Sequence, residues 1–523
     1  AVFSNRSKTS ANCENFVLGI IIYYNKNMLL PILSAILGIL AFLPFKFFWP
    51  FGFIFLVPLF IFIAKEKSFW RFILGIFIFR IILMITVFYF AFDPIIFGLH
   101  ALLFTALMTP LFLFKQRRRL LFIVLPIFYA FADLFADHFS FLPANILAAG
   151  NIFGSSPFLG LANFGGLTFL TIFATSINAV IAFLTALIDE SSKNFKKTPV
   201  IILIFLIITA LFSGWQISQS QLQKNSLDYQ NKKNALTVAL VSVNSEIDKK
   251  FPSFDNILNE TDRKAVEAII RESLSPLKKE LIGKKLDILA LPEDMIDIED
   301  WNNADKEAKN KFGIENDKIL IQAYRALARE LNANLTTAFT TYQNGKRYNT
   351  AILFNQKGEI LDIRDKSRLT ITSEYWPFGG WQPFYYKWAK KLQPDIAENS
   401  ALFNEEYQYN KGERKNLAAE NFNFALLICL EIHYPYDVQK FKKMGADFII
   451  NTTSNRWINY GLENYLTLTA NLRKIESVWL KTPIAFNGKI EKAGIITPNG
   501  KIQSVNFETD SKNYNIFIGE IRY

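Results

Sequence analysis

The chain has 523 residues, of which 51% are hydrophobic and 20% charged, with a formal net charge of +11. That length exceeds one ordinary domain. The mixture excludes both an all-membrane chain, which carries fewer charges, and a wholly soluble one, which lacks such long apolar runs. Two cysteines exclude a disulfide framework and a zinc site, and the basic excess comes with no nucleic-acid motif.

The average conceals two halves. Residues before about 216 are mostly apolar, and the phenylalanines concentrate there. Candidate membrane spans are 28–43, 51–64, 72–92, 95–114, 119–137, 162–188 and 199–215. Several fall short of the roughly 20 residues that cross a bilayer and lean on flanking aromatics such as Phe47, Phe48 and Trp49. The first run is followed by further spans and reads as an anchor, not a cleaved leader. Basic residues fill alternate loops: Lys65, Lys67 and Arg71; then Lys115, Arg117, Arg118 and Arg119; then Lys193, Lys196 and Lys197. The positive-inside rule places these loops and the N-terminus in the cytoplasm. The seventh span then exits outward, which puts everything after about 217 outside the cytoplasm. Arg80 lies within an apolar span, where a charge costs about 2.5–3.5 kcal/mol. It pairs with Asp133, meets a lipid phosphate or snorkels to the face.

The expected organisation is a polytopic transmembrane domain over 1–216, a polar linker over 217–234 and an extracytoplasmic domain over 235–523. In the last, strands are expected at Leu236–Asn244, Leu286–Leu291, Asn334–Thr341, Thr350–Phe354, Glu359–Arg364, Phe424–Cys429, Ala446–Asn451, Ile484–Asn487 and Ala493–Ile496. Gly358 turns one hairpin. Helical patterns fall at 261–281, 316–331 and 462–480. Strands alternating with helices, plus antiparallel hairpins, predict a layered α/β sandwich.

Three chemistry-bearing residues each follow an expected strand: Glu293 in Leu-Pro-Glu, Lys366 in Arg-Asp-Lys and Cys429 in Ile-Cys-Leu-Glu. A lone thiol at the end of a buried strand is a small core hydrophobe or a nucleophile. A carboxylate base and a cation alongside favour the nucleophile, acting in acyl transfer through a thioester. Lys366 and the backbone N–H of Leu430 would stabilise the oxyanion, while Glu374 and Glu431 would orient Lys366. His433 offers a competing Cys–His arrangement without an evident Asn or Asp partner. Aromatic residues from Tyr375 to Trp388, including Trp376 and Trp381, precede Lys390 and Lys391. They read as an arm that dips into the bilayer or as a loop packed on its own core.

The order Pro-Glu, then Lys, then Cys-x-Glu resembles the carbon–nitrogen hydrolase (nitrilase) superfamily, and the preceding spans resemble its membrane-anchored apolipoprotein N-acyltransferase family. The loop Phe164-Gly165-Gly166-Leu167-Thr168-Phe169 is similar to that family's entry into a span. The resemblance implies an α-helical membrane bundle followed by a nitrilase-like αββα sandwich. It implies Glu293 as base, Lys366 as the lysine, Cys429 as nucleophile, Glu374 as a second glutamate and Glu431 as the acid after the cysteine. It also implies substrate contacts at Asn455, Trp457 and Phe251, to which the aromatic arm adds Trp376 and Trp381. The chain departs from the pattern at Ile371-Thr372-Ser373, at Leu430 and at Phe251, and ends at Tyr523 without the family's final span. The implied reaction moves an acyl chain from a phospholipid to the N-terminal amine of a diacylglyceryl-cysteine lipoprotein. It takes place at the outer face of a bacterial cytoplasmic membrane and needs no metal or organic cofactor. The residues by themselves define a membrane-bound thiol acyltransferase or amidase, and a degenerate scaffold is the non-enzymatic alternative.

Overall fold

The computed structural model describes residues 27–87, 94–139, 144–190, 197–243, 260–296, 304–316, 318–371, 373–382, 408–455, 458, 462–503 and 514–523. Phe251 and Trp457 lie outside these residues, as does the second half of the aromatic arm. The chain divides into two compact units, one drawn from Ala1–Gln219 and Tyr460–Asn471, the other from Ser220–Asn459 and Leu472–Tyr523.

The first unit is helical. Its elements are α1 (Asn27–Ala41), then α2 (Val57–Lys65), α3 (Phe69–Val87), α4 (Pro94–Met108), α5 (Arg118–Phe139), α6 (Gly166–Glu190) and α7 (Lys197–Gln230). Among the described residues six stretches are long and apolar enough to cross a membrane: Phe47–Lys65, Phe69–Val87, Ile95–Phe114, Arg118–Ala136, Gly166–Ile188 and Val200–Gln230; α1 is shorter. Short 3₁₀ turns occupy much of 46–53 and 144–164. Such irregular backbone needs internal partners where water is absent. Asn178 supplies them on both sides, accepting from Leu56 N–H at 2.9 Å and donating to Gly52 C=O at 2.8 Å. Asp133 accepts from Ala149 N–H at 3.0 Å, and Ser218 accepts from Gly160 N–H at 2.8 Å. Arg80 is fully buried and pairs with Asp133 at 2.8 Å, while His100 Nε2 lies 2.8 Å from its Nη2. Of the three expected fates of Arg80, pairing is the one adopted.

The linker expected at 217–234 is a correction. Helix α7 runs unbroken to Gln230. Once a helix is nucleated each further residue adds a hydrogen bond, and after Gly214 no Gly or Pro interrupts the run. The polar character of Gln, Ser, Asn and Lys signals a solvated helix surface here, not a coil.

The second unit is an α/β domain built on one nearly closed sheet. Its strands are β1 (Ala235–Val243), β2 (Ile288–Ala290), β3 (Asn334–Gln343), β4 (Lys346–Phe354), β5 (Ile360–Asp365), β6 (Leu417–Ala418), β7 (Asn423–Ile428), β8 (Phe448–Ser454), β9 (Ile484–Lys489), β10 (Gly494–Ile496), β11 (Ile502–Gln503) and β12 (Tyr514–Arg522). Their order is β5-β4-β3-β2-β1-β9-β8-β7-β6. Strands β1, β2 and β3 are parallel, as are β7, β8 and β9, while β3-β4-β5 form antiparallel hairpins. At the ends of that order Ala418 N–H donates to the Asp362 carboxylate at 3.2 Å, which brings β6 beside β5. Helices α8 (Glu260–Leu281), α9 (Lys306–Phe312), α10 (Lys318–Leu331), α11 (Pro435–Lys443) and α12 (Leu462–Leu480) complete the described chain. One core joins β1–β4 to α8 and α10; a smaller one joins β7, β8 and β9 to α11.

Strand β12 is absent from the sequence expectation. It pairs with β1 over its whole length, Tyr514 opposite Val243 through Arg522 opposite Ala235. Its buried Tyr514, Ile516, Phe517 and Ile521 depart from strict alternation, so the period-2 signal is weak.

Two glycines with positive φ separate conformational from steric cost. Gly283 (φ +81°) faces open space, whereas a Cβ on Gly358 (φ +74°) would lie 2.7 Å from the Arg325 carbonyl oxygen. Gly283→Ala should therefore cost about 1 kcal/mol and Gly358→Ala about 2–4 kcal/mol. Denaturant unfolding of the detergent-solubilised chain checks this; equal effects would show that the Gly358 turn relaxes freely.

Candidate active site

The candidate side chains sit where strands end. Cys429 follows β7 directly, Lys366 follows β5, and Glu293 lies three residues beyond β2. Carboxyl ends of parallel strands are where α/β folds gather reactive groups, and antiparallel β5 delivers Lys366 to the same place through the β3-β4-β5 meander.

Lys366 is 1% exposed, and its Nζ lies 2.7 Å from Glu374 Oε1 and 3.7 Å from Glu293 Oε1. Asn349 on β4 ties the two carboxylates together, its Nδ2 donating to Glu293 Oε1 at 2.8 Å and to Glu374 Oε1 at 3.0 Å. Ser454 N–H donates to Glu293 Oε2 at 2.9 Å and Thr370 N–H to Glu374 Oε2 at 2.6 Å. Glu374, which a solvated loop would have left in water, is buried. Asn349 carries little signal in the sequence beyond a polar residue on a strand position that the hairpin register turns inward.

Cys429 is buried and adopts φ +51°, a conformation that costs a non-glycine residue about 1–3 kcal/mol. Burial pushes its thiol up, the Glu293 and Glu374 charges add to that, and Lys366 and the Leu430 N–H, which donates to the sulfur, oppose it. Burial also raises Glu293 above the usual carboxylate range, against the pull of Lys366. Burial works against the Lys366 ammonium, yet Glu374 and Glu293 outweigh it and hold the group well above its ordinary value. The ground state is a neutral thiol facing two carboxylates and one ammonium. Moving the thiol proton to Glu293 leaves that net charge unchanged, so the transfer adds no further buried net charge.

The expectation that Glu431 orients Lys366 is a correction. Glu431 instead pairs with Arg364 through both guanidinium ends and accepts from Ser367 N–H at 2.8 Å and Ile428 N–H at 2.9 Å. A second buried cation, Arg364, on β5 two residues before Lys366, draws the carboxylate to itself; Arg364 also donates to the Leu426 carbonyl. Glu431 therefore braces the backbone on either side of Cys429. Behind the same turn, Asn451 donates to the Leu427 and Cys429 carbonyls at 3.1 and 3.2 Å and accepts from Arg473. Arg473 pairs with Glu491. Asn455 is fully buried and its Nδ2 points to Thr453 and Glu491 within this network. Trp376 is buried with its Nε1 donating to the Trp381 carbonyl at 2.7 Å, while the Trp381 side chain is 54% exposed. His433 is fully buried, and burial followed by the Arg473 charge lowers it to about 3, so it stays neutral. Among the described residues no group of His, Cys, Asp and Glu is arranged to hold a metal.

Residues 237–480 match the carbon-nitrogen hydrolase family, and the second unit has a nitrilase-like α/β fold. The chain is also related to proteins named apolipoprotein N-acyltransferase. One, from Treponema denticola, is 29% identical over 164 residues, covering 30% of this chain and 27% of that protein. Another, from Leptospira interrogans, is 22% identical over 302 residues, covering 49% of this chain and 50% of that protein. The chain thus spans half or less of the curated relatives it matches. Among solved structures, a Saccharomyces cerevisiae nitrilase-superfamily protein aligns with 14% identity and a TM-score of 0.35, covering 56% of this chain and 91% of that one. A Nesterenkonia amidase of the same superfamily aligns with 13% identity and a TM-score of 0.34, covering 55% and 90%.

The geometry gives a pH signature. A Glu293 acting as base would take the thiol proton only when ionised, so alkylation of Cys429 by iodoacetamide should rise with pH through the elevated Glu293 pKa and then level off. In Glu293→Gln that low-pH limb should vanish, and the rate should climb only in the alkaline range set by the raised thiol. Mass spectrometry of the Cys429 peptide reads both; identical profiles would remove Glu293 as base.

Proposed function

We propose that the chain is a membrane-bound N-acyltransferase that works through a Cys429 thioester. One observation carries the reading: a buried thiol in a strained turn faces a Glu293–Lys366–Glu374 cluster, in a domain whose chain also provides helices apolar enough to cross a membrane. Relatives named apolipoprotein N-acyltransferase support it. The proposed donor is a phospholipid and the proposed acceptor the N-terminal amine of a diacylglyceryl-cysteine lipoprotein. The proposed topology keeps the N-terminus and basic loops in the cytoplasm and the catalytic domain on the outer face of a bacterial cytoplasmic membrane.

The steps balance as follows. Cys429 Sγ attacks the ester carbonyl while Glu293 accepts the thiol proton. Lys366 Nζ and the Leu430 N–H stabilise the oxyanion. The C–O bond then breaks, Glu293 returns the proton to the departing alkoxide, and a lysophospholipid leaves. In the second half the amine attacks the thioester, Glu293 takes a proton from the nitrogen, and the C–S bond breaks. The thiolate regains that proton and the amide departs. Trp376 and Trp381 are proposed to flank the acyl chain, with Phe251 and Trp457 as further contacts. Exclusion of water protects the thioester between the halves.

Membranes containing the chain, incubated with an alkyne-tagged phospholipid, should give a hydroxylamine-sensitive label on Cys429. A diacylglyceryl-cysteine peptide should discharge the label as an N-acyl product. Cys429→Ser should give none, and Lys366→Met should slow labelling about 10²–10³-fold through loss of oxyanion stabilisation. Label discharged only by water would favour a hydrolase on the same domain, and no label in folded protein would sink the thioester.

A further inference from the structure

A cluster of cations adjoins the catalytic segments and the mechanism makes no use of it. Arg368 Nε lies 2.5 Å from Asp437 Oδ2, Arg414 Nη2 lies 2.9 Å from the same oxygen, and Lys440 Nζ lies 3.3 Å from Oδ1. Three cations therefore share one carboxylate. Lys411 lies near enough to Arg368 and Arg414 that, after burial, their charges lower its pKa. Arg368 stacks over Tyr434 with its guanidinium carbon 4.7 Å from the ring centre, leaving the planar edge to present donors. Arg414 Nε is buried with no hydrogen-bond partner among the described residues.

The chain brings this cluster to the reactive cysteine's surroundings by three routes. Arg368 is two residues past Lys366. Lys411 and Arg414 flank Gly412, whose N–H donates to the Lys366 carbonyl at 2.9 Å, an approach so close that a Cβ there would meet Asp365. Asp437 and Lys440 lie on α11, which follows the Cys429–His433 turn directly. Burial works to raise the Asp437 carboxyl, but hydrogen bonding and charge from Arg368, with the charge of Arg414, hold it below the usual carboxylate range. It stays ionised and fixes the guanidinium groups in place while neutralising only part of their charge.

The geometry points to an anion subsite that takes the phosphodiester headgroup of the acyl donor, with Arg368, Arg414 and Lys440 as its ligands and Asp437 as their organiser. Fixed guanidinium forks match phosphate oxygens in shape and charge. A donor held by its phosphate beside Cys429 presents its ester at a defined distance, whereas an ester without phosphate lacks that anchor. This inference rests on the acyl-transfer reading for its purpose but not for its test.

The full chain carrying Cys429→Ser, in detergent below the micellar concentration of the added lipid, is footprinted with acetic anhydride. A lysophospholipid should protect Lys440 and Lys411, a monoacylglycerol of the same chain should not, and Arg414→Gln should abolish the protection. Equal protection by inorganic phosphate at the same concentration would make this a free-anion site and overturn the headgroup assignment, as would no protection by either lipid. In the chain with its cysteine, Arg414→Gln should slow thioester formation from a sub-saturating phospholipid about 10–100-fold. The same variant should leave the rate from a p-nitrophenyl acyl ester unchanged. Equal losses with both donors would overturn the proposal. Protection without thioester from any donor would retain the subsite and discard the acyl-transfer reading alone.

Discussion

Lys366 is an ammonium group with almost no access to water, and the α/β domain is arranged around keeping it charged. An isolated buried cation would lose its proton or unfold its surroundings. Glu374 and Glu293 prevent that, and Asn349 prevents the two carboxylates from repelling each other apart. The β3-β4-β5 meander brings the lysine and the asparagine together, Lys366 N–H donating to the Asn349 carbonyl at 2.8 Å. Two carboxylates and one ammonium leave a single negative charge facing the thiol. That charge makes loss of the thiol proton to solvent costly.

Two further buried ion pairs brace the Cys429 turn without touching its sulfur. Arg364–Glu431 grips the residues around Cys429 from the β5 side, and Arg473–Glu491 grips Asn451, which holds the Leu427 and Cys429 carbonyls. A residue held at φ +51° needs such over-determination. Buried pairs of this kind add little net stability, because desolvation offsets their attraction. Their contribution is to fix one backbone conformation for the reactive sulfur.

The apolar helices obey the same rule by other means. Where the backbone leaves the helical ladder, at 46–53 and 144–164, Asn178, Asp133 and Ser218 supply the missing partners. Asp133 does this while paired to Arg80, so one carboxylate both neutralises a buried guanidinium and anchors a turn. Polar residues in apolar sequence thus mark the places where regular hydrogen bonding stops.

Hydrophobic runs, strand periodicity and the order Glu, Lys, Cys were legible in the sequence because each depends on neighbours a few residues away. They gave the helical and α/β halves, most strands of the sheet, and the residues Glu293, Lys366, Glu374 and Cys429 that the fold brings to one place. The continuation of α7 through 217–230, inside the expected linker, was not legible, since polar composition alone does not distinguish a solvated helix from a coil. Strand β12 was missed because its burial follows pairing with β1, some 280 residues earlier in the chain. Partner choice among buried charges was the property that only the tertiary structure decided. Glu431 belongs to Arg364 and Glu374 to Lys366, and no local pattern separates those two outcomes. Coulomb attraction acts between groups that the sheet makes adjacent, and adjacency is fixed by strand order and register.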